Sequence, residues 1–212
     1  TYRTIKEEPE PLIHALAQLD ACPSEVYKEH FYSVREQYNQ KVMKRIFDIE
    51  LAAMFIFLNK HCYNGLYRVN GKGMFNVPYN NHSGASYSEE NILAVANYLA
   101  KVELRCGDFE VACETADSRD FVFLDSPYAP LNPASFEAYT KEGFSLGDHE
   151  RLASLFSKLD KKGCYCMLTN HNTDLIRHLY KNYLIEEVSV RRFINSVANK
   201  RDGTEVIIRN YG

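Results

Sequence analysis

Phe121-Val122-Phe123-Leu124-Asp125-Ser126-Pro127-Tyr128 is the stretch whose reading decides the fold. Four apolar residues in a row, two of them aromatic, predict a fully buried strand of a parallel sheet. The run stops at an acid, a small polar residue, a proline and a tyrosine. Ligands of open α/β sheets sit beyond the carboxyl ends of the strands, where these four residues fall. Pro127 has no N–H and biases Ser126 toward extended backbone, so acceptors rather than donors face outward. Asp125 offers carboxylate oxygens, Ser126 a main-chain carbonyl and Tyr128 a flat aromatic face. A planar ring with an exocyclic amino group would stack on Tyr128 and give its two N–H hydrogens to Asp125 and the Ser126 carbonyl. An extruded adenine has that shape. Taken alone, D-S-P-Y also reads as a strand end whose acid caps the next helix and whose tyrosine is packing, so the rest of the chain must discriminate.

On either side of this stretch, strands alternate with helices. Glu89–Lys101 is an amphipathic helix, and Val102–Arg105 a short strand ending at Cys106-Gly107-Asp108-Phe109. A polar loop over 129–147 holds Pro130, Pro133, Gly143 and Gly147, and a helix follows at 148–161. Then come strand 164–169, ending at Thr169-Asn170, helix 173–182, strand 184–190 and a last strand, 204–209, ending in Asn210-Tyr211. The alternation predicts an α/β fold, a sheet with helices on both faces and an antiparallel pair at its end. Asp108, Asp125 and Asn170 each follow a predicted strand and so are expected on one rim.

Upstream the pattern is helical. Residues 5–20 carry Ile5, Leu12, Ile13, Leu16 and Leu19 at helical spacing, Ser24 is placed to cap 25–38, and 41–60 is apolar nearly all round. Three helices without a strand predict a helical subdomain. Tyr67-Arg68-Val69 and Met74-Phe75-Asn76-Val77 then flank Asn70-Gly71-Lys72-Gly73, a hairpin turn sequence. Gly71-x-Gly73 lacks the third glycine and the strand–helix context of a nucleotide loop. From Leu51 to Ser88 there is no Asp or Glu, where the overall content of 28 in 212 would place about five. The cations there are Lys60, Arg68 and Lys72, with His61 and His82 beside them, as a surface meeting a DNA backbone and groove would require. The expected division is a helical and hairpin region over 1–90 and an α/β region over 91–212.

Composition narrows the class. The 212 residues are 45% hydrophobic and 25% charged, with a formal charge of −3, which argues against a generally basic coat and leaves room for a local patch. No run of about 18 apolar residues is present, so no membrane span is expected. Six cysteines without C-x-x-C spacing read as reduced, mostly buried thiols of a cytoplasmic protein. The seven histidines never fall in H-x-x-x-H, and no metal site is expected. His149 and His171 read as helix-start or loop residues, Tyr2 and Tyr180 as packing, and Arg191, Arg192, Lys200 and Arg201 as a phosphate-binding or merely solvated basic edge.

Tyr63-Asn64-Gly65-Leu66-Tyr67-Arg68, Phe75-Asn76-Val77-Pro78 and Asp125-Ser126-Pro127-Tyr128-Ala129-Pro130-Leu131, in this order, together resemble the Dam-type DNA adenine-N6 methyltransferases. Asp148-His149, Thr169-Asn170-His171, Arg191-Arg192-x-Ile194-Asn195-Ser196 and the closing Asn210-Tyr211 extend the resemblance over nearly the whole chain. It implies a Rossmann-like methyltransferase sheet plus a target-recognition subdomain, S-adenosylmethionine as methyl donor, and double-stranded DNA as partner. By that resemblance Asp125, Ser126, Pro127 and Tyr128 form the catalytic tetrapeptide, with Asp108, Phe109 and Asp125 at the cofactor. Tyr63 would wedge into the base stack, and Asn64, Leu66, Arg68, Asn76, Pro78 and Asn81 would meet DNA. Relatives of this kind commonly read GATC, and the family leaves room for a cognate restriction endonuclease.

Three departures stand out. Ser126 replaces a proline, which keeps the carbonyl but removes the ring restraint on φ. Asn80-Asn81 stand where a glycine and a guanine-contacting arginine are usual. The glycine-rich cofactor loop and the ribose-holding acid of the family have no counterpart, so the chain reads as lacking the first part of the sheet. The competing expectation is therefore a catalytically silent remnant that only binds DNA, and a more distant one is a methyltransferase acting on RNA or free bases. A major-groove reader has little use on A-form RNA.

Overall fold

The computed structural model describes residues 1–131, 144–191 and 202–212 and divides the chain into two compact units, Thr1–Leu104 and Arg105–Gly212. Pro133, Gly143 and the stretch Arg192 to Arg201, including Ile194, Asn195, Ser196 and Lys200, lie outside the described residues.

In the first unit the single helix expected over 5–20 is two, α1 (Tyr2–Glu7) and α2 (Pro9–Asp20). Pro9 is the reason: a residue before proline is pushed out of helical backbone, and Glu8 sits at φ −141°, ψ 55°. Ser24 does not cap a helix through its side chain; it begins a 3₁₀ turn, Ser24–Val26, that leads into α3 (Tyr27–Met43). Tyr2, expected to pack, is 66% exposed, whereas Tyr180 is buried as expected. The next helix, α4 (Ile49–His61), starts later than the expected 41, because Asp48 supplies the cap by accepting the Leu51 N–H at 2.8 Å. The apolar circumference of α4 has a simple cause. Leu51, Met54, Phe57 and Leu58 pack with Tyr27, Phe31, Val34 and Tyr38 of α3, while Ala52 and Ala53 pack with Ile5, Leu12 and Leu16. Ile92, Ala96 and Leu99 of α5 (Glu89–Leu99) join that second cluster. One helix thus serves two cores.

The Asn70–Gly73 turn forms, with Gly73 N–H on the Asn70 carbonyl at 2.8 Å, but its arms pair as strand only at a Val69–Phe75 bridge. Full strands are unnecessary because the buried Asn39 side chain satisfies both backbone groups of Phe75, at 2.8 and 3.1 Å. Nor is 102–105 a strand: Val102 closes a turn onto Leu99, and its carbonyl takes Lys6 Nζ at 2.7 Å.

The second unit holds α6 (Phe109–Ala112), β1 (Phe121–Leu124), α7 (Leu146–Lys162), β2 (Tyr165–His171), α8 (Asp174–Leu179), β3 (Leu184–Arg191) and β4 (Asp202–Arg209). The sheet order is β1-β2-β4-β3, with β1 parallel to β2 and β4 antiparallel to both neighbours. α7 is capped by a Ser145–Asp148 box at its start and a left-handed Gly163 (φ 86°) at its end. Leu152, Leu155, Phe156 and Leu159 of α7 pack with Cys166 and Leu168 of β2 and with Val206 and Ile208 of β4.

β1 departs from the fully buried strand expected of its four apolar residues. Among the described residues β1 pairs with β2 alone; Phe121 and Phe123 are 58% and 52% exposed while Leu124 is buried, so alternate side chains face opposite sides. The six cysteines are free thiols, three of them buried (Cys62, Cys164, Cys166) rather than most. Among the described residues no helix is long and apolar enough to cross a membrane.

Candidate active site

β1 ends at Leu124, and the chain leaves the sheet through Asp125 to Ala129. Asp125 is exposed, Ser126 and Tyr128 are half-buried, and Ala129 is buried. The neighbouring strand β2 holds this loop. Thr169 Oγ1 donates to Asp125 Oδ1 at 3.3 Å, and the Asn170 side chain reaches Ser126 Oγ at 3.4 Å and the Ala129 N–H at 2.7 Å. His171 Nδ1 donates to the Ala129 carbonyl at 2.7 Å. Among the described residues no hydrogen bond reaches Asp125 Oδ2 or the Ser126 carbonyl, so both acceptors are available. The Tyr128 ring meets His171 edge-on, 5.0 Å between centroids, and its hydroxyl donates to Glu205 Oε2 at 3.4 Å. Burial pushes the Tyr128 phenol above its ordinary range, so the ring is neutral near pH 7. A cavity of about 420 Å³ opens where the loop continues, lined by Ala129, Pro130, Leu131 and Leu146 together with Asn172 to Leu175.

Asn170 does not follow β2, as expected, but sits inside it and is fully buried. Asp108 follows no strand either; it caps α6 by accepting the Glu110 N–H at 2.9 Å. Arg151 of α7 grips its carboxylate from one side, Nη2 lying 2.8 Å from each oxygen, and this holds the Asp108 carboxyl below the usual carboxylate range. The Arg151 guanidinium also lies 4.7 Å from the centre of the Phe109 ring. Nothing in the sequence pairs Arg151 with Asp108, 43 residues away; only the packing of α6 on α7 does. An exposed, ionised carboxylate with lone pairs to spare on Oδ2 fits the amino group of a donor's adenine.

The hairpin residues fall on one exposed stretch of the first unit. Tyr63 is 56% exposed and opens a 3₁₀ turn (Tyr63–Gly65) in which Asn64 takes a left-handed φ of 53°. The Tyr63 N–H bonds the Pro78 carbonyl at 2.9 Å, and Cys62 bridges Tyr79, so Cys62 and Tyr63 lie beside Pro78 and Tyr79. Arg68 is exposed; its Nε donates to Asn76 Oδ1 at 2.9 Å, and among the described residues no hydrogen bond reaches its two Nη groups. Leu66, Pro78 and Asn81 are exposed.

A model of the D12 class N6 adenine-specific DNA methyltransferase family matches residues 1–194. The type II methyltransferase M.MjaIII of Methanocaldococcus jannaschii is 42% identical over 219 residues, covering 99% of this chain and 75% of that protein. The type II methyltransferase M1.LlaDCHI of Lactococcus lactis subsp. cremoris is 35% identical, with 100% and 75% covered. A DNA adenine methylase of Vibrio cholerae is 31% identical, with 92% and 69% covered.

Proposed function

The chain belongs to the D12 class of N6 adenine-specific DNA methyltransferases, and on that premise we propose that it methylates N6 of an adenine swung out of a short palindromic duplex site, GATC, with S-adenosylmethionine as donor. The observation that carries this reading is the pair of unengaged acceptors, Asp125 Oδ2 and the Ser126 carbonyl, on a loop that β2 holds in place. Asp125 and the Ser126 carbonyl accept the two N6 hydrogens and turn the nitrogen lone pair out of conjugation with the purine ring. Tyr128 stacks on the purine and keeps that lone pair pointing one way. S-adenosylmethionine, when bound, supplies a methyl group on a positively charged sulfur that leaves with the C–S electron pair. Asp125, exposed to solvent, then takes the surplus N6 proton and passes it to water. Asp108 and Phe109 would hold the adenine end of the donor.

In the first unit, Tyr63 enters the base stack, while Asn64, Leu66, Arg68, Asn76, Pro78 and Asn81 meet the duplex. The two relatives named type II methyltransferases support a role in restriction-modification, with a cognate endonuclease as companion.

The test is methyl transfer to GATC duplexes against duplexes with one base changed, with Asp125→Ala alongside. Labelling confined to GATC and reduced by about 10³-fold or more in the variant is expected. Equal labelling by both proteins sinks the role of Asp125, and labelling of another site sinks GATC.

A further inference from the structure

We infer that Asn170 is a positioning residue for methyl transfer, acting through the loop Asp125 to Ala129. This rests on the reading of Asp125 and the Ser126 carbonyl as the clamp on the target amino group.

Three consecutive residues of β2 hold that loop. Thr169 Oγ1 donates to Asp125 Oδ1 at 3.3 Å, and His171 Nδ1 to the Ala129 carbonyl at 2.7 Å. Between them, Asn170 grips the loop twice. Its Oδ1 accepts the Ala129 N–H at 2.7 Å and the His171 N–H at 2.9 Å. Its Nδ2 donates to Ser126 Oγ at 3.4 Å. One planar amide, 0% exposed, therefore ties the second and fifth residues of the loop to the sheet. Swinging the loop would leave that amide and the buried Ala129 N–H without partners in a place water does not reach, so the loop is held by the cost of those groups.

The consequence falls on the Ser126 carbonyl. Its direction follows the backbone torsions of Ser126, which has no ring to fix φ. The hydroxyl gives Asn170 a handle on this residue that a proline side chain would not have, and the Ala129 tie fixes the far side of the same turn. Asn170 touches neither base nor donor in this scheme; it sets where two acceptors point.

The full-length protein is assayed as wild type, Asn170→Ala, Ser126→Ala, the double variant and Asp125→Ala. Thermal melting, the Kd for a GATC duplex, and the fluorescence of 2-aminopurine at the target position are followed alongside kcat. Asn170→Ala is expected to lower kcat about 100-fold, as a misplacement near 1 Å does, with Kd and base extrusion near wild type. Ser126→Ala keeps the carbonyl and loses only the hydroxyl, so kcat should fall up to about tenfold. In the double variant the losses should overlap rather than multiply. Wild-type kcat in Asn170→Ala overturns the inference. So does a loss of kcat matched by an equal loss of DNA binding and extrusion, which is what a general structural role gives. If Asn170→Ala does not fold, Ser126→Ala decides: wild-type kcat overturns the inference and a lowered kcat at unchanged Kd upholds it. An active Asp125→Ala removes the clamp reading itself, whereas an inactive Asp125→Ala beside an active Asn170→Ala removes only the positioning role.

Discussion

Arg151 Nη2 donates to both carboxylate oxygens of Asp108, at 2.8 Å each, while Arg151 Nη1 reaches Asp148 Oδ1 at 3.0 Å. One guanidinium thus links the cap of α6 to the first turn of α7 and covers the Phe109 ring on the way. Removing the charge with Arg151→Met should let the Asp108 carboxyl rise toward its ordinary 3.8, read by NMR titration of the side-chain carbon. If Asp108 accepts from the donor's adenine, losing its orientation should also weaken S-adenosylmethionine roughly tenfold by calorimetry. A shifted pKa with unchanged donor affinity would remove Asp108 from the cofactor site.

Tyr128 separates ring from hydroxyl. Its hydroxyl bond to Glu205 is long, 3.4 Å, and its ring is fixed edge-on by His171. Tyr128→Phe should therefore stay near wild type. Tyr128→Ala should lose the stacking of one base, about 1–3 kcal/mol, visible as a drop in kcat/KM of about 5- to 150-fold. Equal losses in both variants would mean that the hydroxyl, not the ring face, is what the reaction uses.

The hairpin makes a third case. Arg68 is oriented by Asn76 Oδ1, so its fork is presented rather than free to swing. Arg68→Ala should cost about 1–3 kcal/mol of discrimination at one base pair, measured by competition among single-base site variants. A uniform loss across all variants with a shallower salt dependence would reassign Arg68 to the phosphates.

These expectations divide by what a sequence can carry. The Asp125–Tyr128 turn was legible because strand, break and acceptor set are local. The helices were legible in kind but not in extent: Pro9 splits one and Asp48 delays another, both by single-residue backbone effects. The run Phe121 to Leu124 is a strand as read and pairs in parallel with β2, but its burial depends on what covers each face, which four apolar residues do not encode. Val102 to Arg105 has strand-like residues and no strand partner among the described residues. Asn39, Asn170 and Arg151 act through contacts 36 to 44 residues distant, which no local pattern encodes. Thr169-Asn170-His171 stands out as a motif, but its grip on the loop follows only from the β1–β2 register.

His61 predicts a pH dependence. It is buried at the end of α4, its Nδ1 donates to the His82 carbonyl at 3.2 Å, and its Nε2 faces the Tyr27 hydroxyl at 3.0 Å. Burial lowers its pKa below the ordinary 6.5; the hydrogen bond to the His82 carbonyl and the charge of Asp20 pull the other way, while the His82 ring and Lys60 reinforce the lowering. His149, buried on α7, shifts in the same direction. The unfolded chain therefore takes up protons first as pH falls. Stability is fully present above 6.5 and is lost below it, by at most about 1.4 kcal/mol per pH unit for each such ring. Urea melts at pH 8 and 5.5 should show the loss, and His61→Gln should flatten part of it. A wild-type stability that rises on acidification would contradict the neutral assignment.

Asn210 closes the sheet. Its Nδ2 donates to Asp160 Oδ1 of α7 at 2.7 Å and to the Cys164 carbonyl at 2.8 Å, and its Oδ1 accepts the Cys166 N–H at 2.7 Å. A side chain just past β4 thus completes the first residues of β2 and ties them to α7, which is why an asparagine ends the last strand. Asn210→Ala leaves the N–H of the buried Cys166 unpaired and should cost about 2–3 kcal/mol in urea unfolding. Asn210→Asp is the sharper probe. It keeps an acceptor for Cys166 but sets a second carboxylate against Asp160, so the pair must share a proton or repel. Its deficit should equal or exceed that of Asn210→Ala at pH 7 and shrink as pH falls toward the carboxyl range. A deficit that ignores pH would mean that Asp160 turns away from the new carboxylate, and that the loss comes from the Cys164 carbonyl, which an aspartate without an N–H leaves unpaired.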